Sequence, residues 1–176
     1  MSKLTYLIFF SFLLMFSCSK EEIINSELTD RSANQGVINH VSVGSNDACS
    51  TLGAKPGCDK SFSLTAIVKE DGSVSGQWVD GYKSDNSKGI HVSIDCVSII
   101  GNSAVIGGII TKGTFNNLDV TGFYAMTAVV DNGTSSKDPL DQISFSYVYA
   151  TPRDCSQFVA EDFSLLDLKI GQVKVK

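Results

Sequence analysis

The chain has 176 residues, a formal charge of −5, a sequence pI near 4.9 and 43% hydrophobic residues. An acidic chain with no basic stripe has no electrostatic source of affinity for nucleic-acid phosphates, which excludes a DNA- or RNA-binding role. Val, Ile, Phe, Thr, Ser and Gly dominate and Pro is scarce, a mixture that favours pleated strands over helices.

Lys3 opens the chain with a positive charge, and Leu4 to Phe16 is an apolar run broken by Thr5 and Ser11. A membrane-spanning helix needs about 20 apolar residues, so this shorter run fits a signal peptide over residues 1–17. Met15-Phe16-Ser17-Cys18 resembles the lipobox of bacterial lipoproteins, with Met15 where Leu is usual. The resemblance implies that Cys18 accepts diacylglycerol on its thiol and that the membrane is a partner through this lipid. At about 0.8 kcal/mol per buried methylene, two or three acyl chains hold firmly where one does not. Ser19-Lys20-Glu21-Glu22 resembles the lipoprotein export signal of Bacteroidota. That implies an outer-membrane lipoprotein at the cell surface, with a periplasm-facing orientation as the alternative. Residues 18–35 are mostly polar and are expected to form a lipidated flexible tether, leaving 36–176 as a single β domain.

Within that domain, Val37 to Val43 offers an opening strand. Lys60 to Lys69 then alternates, with Phe62, Leu64, Ala66 and Val68 on one face. Glu70-Asp71-Gly72-Ser73 supplies a turn into Val74 to Val79, completing a hairpin. Gly89 to Ile100 places Ile90, Val92, Ile94, Cys96, Ser98 and Ile100 on one face; Gly101-Asn102 turns the chain into Ala104 to Thr111. Gly122 to Val130 and Gln142 to Tyr149 form an aromatic-rich pair joined by a long connection, and Gln172 to Val175 closes the series. Ser156 to Phe163 has room for a helical turn or two. The expected fold is all-β, with about eight mostly antiparallel strands in a closed or nearly closed barrel; the alternative is a β-sandwich.

Cys49, Cys58, Cys96 and Cys155 make an even set in an exported domain, and three pairings are open. A local Cys49–Cys58 bridge around a Gly- and Pro-containing loop is the easiest closure, leaving Cys96 for Cys155. The alternative for Cys96 is a buried free thiol. Zinc has little support, since no pair shows Cys-x2-Cys spacing and His is scarce.

Phe62-Ser63-Leu64-Thr65-Ala66 with Asp71 through Trp78, and Ser93 through Gly108 about its Gly-Asn turn, resemble an uncharacterised family of exported bacterial β domains. Val130-Asp131-Asn132-Gly133 with Asp141 through Phe145, and Gly171 through Val175, are similar to that family's later hairpin and closing strand. The likeness runs from about Val37 onward and implies a β domain in which a Cys after the last hairpin is common, in keeping with a Cys96–Cys155 pair. The Cys49 to Cys58 loop departs from the pattern. No activity comes with the resemblance.

The chemistry-bearing residues are sparse. His40 and His91 are the only histidines, and no Gly-x-Ser-x-Gly elbow accompanies them. His91 alternates opposite to Ile90 and is expected to face solvent. Asp80, Asp85, Asp95 and Asp119 are available as paired acids, but spacing selects no two of them. Asp131, Asn132, Asp138 and Asp141 gather oxygen ligands that calcium favours, though without the alternating spacing of a calcium loop, and Asp-Asn-Gly is first a turn former. Trp78 and Tyr82 are candidates for stacking on a ligand, with core packing the expectation for Trp78. No catalytic residue, metal site or cofactor is assigned. The expected function is a non-catalytic binding or interaction module for a small molecule, glycan or protein; an enzyme acting on extracellular polymer and a structural envelope component are the alternatives.

Overall fold

The computed structural model describes residues 36–45, 59–82, 88–115 and 117–176, with backbone alone for 59–61 and 82. The strands are β1 (Val37–Ser45), β2 (Asp59–Lys69), β3 (Val74–Tyr82), β4 (Gly89–Ile100), β5 (Ser103–Phe115) and β6 (Leu118–Asp119). After them come β7 (Tyr124–Val130), β8 (Gln142–Ser144), β9 (Tyr147–Tyr149), β10 (Leu165–Asp167) and β11 (Gly171–Val175). Nine of them form one antiparallel path, β10-β8-β7-β5-β4-β3-β2-β1-β11, which curls into a half-barrel; β6 pairs with β5 and β9 with β7 beside it. The all-β expectation holds. The short β6 and β10 are additions to it, because runs of two or three residues carry no periodicity to read.

The strands fill the concave side with apolar groups. Val41 and Val43, Phe62, Leu64 and Ala66, Trp78, Ile90, Val92 and Ile94, and Ile106 and Ile110 are all buried in one cluster with Val173. Period-2 alternation puts these side chains on one face of each strand and polar partners such as Ser63, Thr65 and Gln77 on the other, which is exposed.

In β4 that alternation changes face midway. Ile94 lies opposite Gly108 and Cys96 opposite Gly107, so Asp95 is the extra residue of a bulge. Beyond it Val97 and Ile99 join the concave core, while Cys96 packs on the convex side. The single face expected for Ile90 through Ile100 is thereby corrected: one inserted residue inverts everything after it. Gly107 is part of the same arrangement. A Cβ there would come within 2.8 Å of the Tyr124 ring, which lies across this position.

On the convex side of β5 and β7 a second cluster forms from Val105, Tyr124, Met126 and Ala128, with Cys155, Ala160 and Phe163 laid over them. The covering segment contains two 3-10 turns, Cys155–Gln157 and Ala160–Asp162, in the stretch with room for helical turns. A disulfide joins Cys96 to Cys155 across 5.9 Å between Cα atoms and fixes this segment to the sheet. With a sequence separation of 59, the loop it closes contributes about 4 kcal/mol on a chain-entropy argument. Cys49 and Cys58 lie outside the described residues. So do Asp85 and Cys18, together with the segments expected as signal and tether.

The two edges of the sheet, β10 and β11, are consecutive in the chain and joined by Leu168–Ile170. Two carboxylates bridge the seam. The outward N–H of Val173 donates to Asp141 Oδ2 at 2.7 Å, and that of Val175 to Asp131 Oδ2 at 3.0 Å. Side chains thereby link the two edges of the half-barrel, and the exposed donors of an edge strand are covered by acids in place of another strand.

Candidate functional site

Antiparallel order gives the barrel two distinct ends. At the entry end Gly36 leads into β1, and its carbonyl accepts from Glu70 N at 3.1 Å in the turn between β2 and β3. The β4–β5 turn and the 131–141 connection lie at this end too. At the far end lie the last residues of β1 and β3, the first of β2 and β4, and the hairpin between β5 and β6.

Exposed apolar groups mark the far end. Phe115 and Leu118 face each other at the tip of the β5–β6 hairpin, 47% and 57% exposed. Ile170 is 60% exposed, and its carbonyl accepts from Ser45 Oγ, at the far end of β1, at 2.7 Å. Below these groups the concave mouth holds Asp80, which shares the inward face of β3 with Trp78. Ser146 Oγ donates to Asp80 Oδ2, linking the β8–β9 junction to β3. Strand parity alone sets Asp80 beside Trp78, so its inward position is readable from the sequence; its partner, 66 residues away, is not.

Trp78 is fully buried, 5.9 Å from the Phe62 ring, and its Nε1 is the one buried side-chain polar atom among the described residues without a partner. It is a core side chain and presents no face to a ligand. Tyr82 ends β3 at the far end.

The acids do not converge. Asp80 points into the mouth, whereas Asp95 is exposed on the convex side and accepts from Tyr124 OH at 2.7 Å. Burial of the phenol, and next its bond to Asp95, push the Tyr124 pKa upward. Asp119 accepts from Thr121 N at 2.9 Å, and hydrogen bonds from Thr121 hold its carboxyl below the ordinary range. His91 is exposed opposite Lys112, and His40 pairs through its backbone with Lys176. Nearby on the convex side, the Arg153 guanidinium stacks 4.8 Å from the centroid of Tyr149.

The oxygens of the candidate calcium loop are engaged by backbone and neighbours. Asp141 Oδ1 accepts from Asn132 N at 2.8 Å and Asp131 Oδ1 from Gly133 N at 3.0 Å, while their other oxygens hold the seam. Asp138 Oδ2 accepts from Ser135 N, and Asn132 Nδ2 donates to the carbonyl of Leu140. Among the described residues no three His, Cys, Asp or Glu side chains are grouped to hold a metal ion, and no helix is long and apolar enough to cross a membrane.

No family model matches the chain, and neither a curated protein nor a solved structure does.

Proposed function

We infer that the chain is an outer-membrane lipoprotein, held by acyl groups on Cys18 at the cell surface, whose half-barrel is a non-catalytic binding or interaction module. The reading takes the domain as a member of the exported bacterial β-domain family whose residues it shares. The observation that carries it is a contrast between interior and rim. The concave side is filled by packed Val, Ile, Leu and Trp side chains. The end remote from Gly36 carries Phe115, Leu118 and Ile170, 47% to 60% exposed. Contacts with a partner therefore belong on the far-end surface, where aromatic and aliphatic groups provide the anchors that recognition uses.

Two measurements test this. Metabolic labelling with a fatty acid is expected to mark the wild-type protein and not Cys18→Ala. The acylated protein in detergent micelles is then screened on glycan and protein arrays. A hit lost in Phe115→Ser/Leu118→Ser, with thermal stability retained, supports the far end as the recognition surface; hits indifferent to this pair would move it elsewhere.

A further inference from the structure

We propose that the entry end of the barrel is a seat for the phospholipid bilayer, so that the domain rests on the membrane with its far end turned outward. This rests on the lipoprotein reading above and adds an interaction surface to it. Val37, Ile38, Ile100 and Leu140 are 57%, 53%, 57% and 48% exposed, and the strand order gathers all four at the entry end. They belong to three separate parts of the chain: the start of β1, the β4–β5 turn and the β7–β8 connection. Lys69 lies directly opposite Val37, and Lys176 is hydrogen-bonded through its backbone to His40 at 2.9 and 3.0 Å. Lysines beside apolar side chains suit the bilayer interface, with stems among the acyl chains and ammonium groups at the phosphates.

The same end carries Glu70, Asp71, Asp131 and Asp138, so the surface has no net attraction for anionic lipid; a zwitterionic phospholipid face is the occupant. Asp71 accepts from Ser73 N, and Asp131 and Asp138 accept from backbone amides of their own loop. Each of these three carboxylates is thereby engaged by an amide of its own turn, which offsets part of its charge at the surface.

The position of Gly36 selects the membrane over other occupants. Seventeen residues separate Cys18 from Gly36, so the domain cannot stand more than about 60 Å from its lipid. Confinement at that distance raises the local concentration of bilayer to the order of millimolar or above. A patch of four side chains, too small to bind vesicles from free solution, is enough under that confinement.

The test uses the acylated protein, isolated from bacterial membranes and reconstituted at low density in phosphatidylcholine vesicles. Its amide hydrogen exchange is compared with that of Cys18→Ala free in buffer. Exchange at 37–39 and 100–102 is expected to be several-fold slower on vesicles, with 118–121 at the far end unchanged. Ile38→Asn/Ile100→Asn, both at exposed positions, is expected to restore fast exchange while the protein stays on the vesicles. Equal exchange at the entry end in both states overturns the seat. Slowing that appears only as protein density rises also overturns it, assigning the patch to a second copy. A protein that carries no acyl group and stays in buffer instead removes the lipoprotein reading, and the seat with it.

Discussion

Asp141 shows how much one side chain contributes to closure. Its two oxygens accept from Asn132 N and Val173 N at 2.8 and 2.7 Å, and the residue is buried. Asp141→Asn would turn an amide N–H toward one of those donors, leaving it unsatisfied at a cost of about 1–3 kcal/mol. The urea midpoint is expected to fall accordingly, and a variant within about 0.5 kcal/mol of wild type, the range of an unremarkable surface change, would contradict the seam. Trp78 has the opposite logic. Its unpartnered Nε1 is a buried cost, so Trp78→Phe removes a polar penalty along with some packing and is expected to lie near neutral. Trp78→Ala should lose about 3–5 kcal/mol. Tyr124 contributes to stability at alkaline pH. Its folded pKa is raised above the unfolded value of about 10, so the stabilisation is complete below that pH. As pH rises beyond it the unfolded phenol ionises first, and stability falls by up to about 1.4 kcal/mol per pH unit. Denaturant melts on either side of pH ~10, in wild type and Tyr124→Phe, read the difference directly. These residues also show what sequence reveals. The burial of Trp78 follows from its place beside Val74 on one strand face. The work of Asp131 and Asp141 does not, because the amides they hold are 44 and 32 residues away and no local pattern encodes them.

Among the elements, β2 and β3 match the sequence expectation because their alternation runs unbroken through a Gly-containing turn. The face reversal in β4 escapes it, since an inserted Asp95 leaves composition and length unchanged. The β8–β9 stretch reads in sequence as one strand, yet Ser144 interrupts it: its hydroxyl accepts from Ala128 N at 2.8 Å, replacing a carbonyl of the ladder. The covering segment around Cys155 is legible as a place for helical turns and, through the cysteine count, as the partner of Cys96. Its removal from the sheet is the prediction at this scale. Cys96→Ser/Cys155→Ser is expected to lose about 4 kcal/mol. Exchange should accelerate first in 155–163 while the β4–β5 hairpin stays protected, as hydrogen exchange followed by mass spectrometry would show. Uniform acceleration throughout would mean that the segment and the barrel unfold as one unit.

For the whole molecule, the two barrel ends differ in what they carry, and the proposed seat and recognition surface give each a different neighbour. Cys18→Ala is expected to release the protein from membranes without changing the thermal midpoint of the domain. Fractionation and calorimetry together check that separation of anchor from fold. The β-rich class and the longer strands are visible in composition and turn spacing, whereas the short β6 and β10 are not. The polarity of the ends is not, because it depends on which turns lie together in three dimensions.

The seam has a consequence for assembly. Val41 meets Val175 across β1 and β11, and Asp131 and Asp141 each find one of their amide donors on that same last strand. Pairings this distant in sequence are slow to form, since a long loop must close before any contact offsets its entropy. A chain threaded N-terminus first through a translocation pore would stay unable to complete its fold until Gly171–Val175 had emerged. Delayed ring closure of this kind keeps a polypeptide loose during passage and commits it to its final shape on arrival.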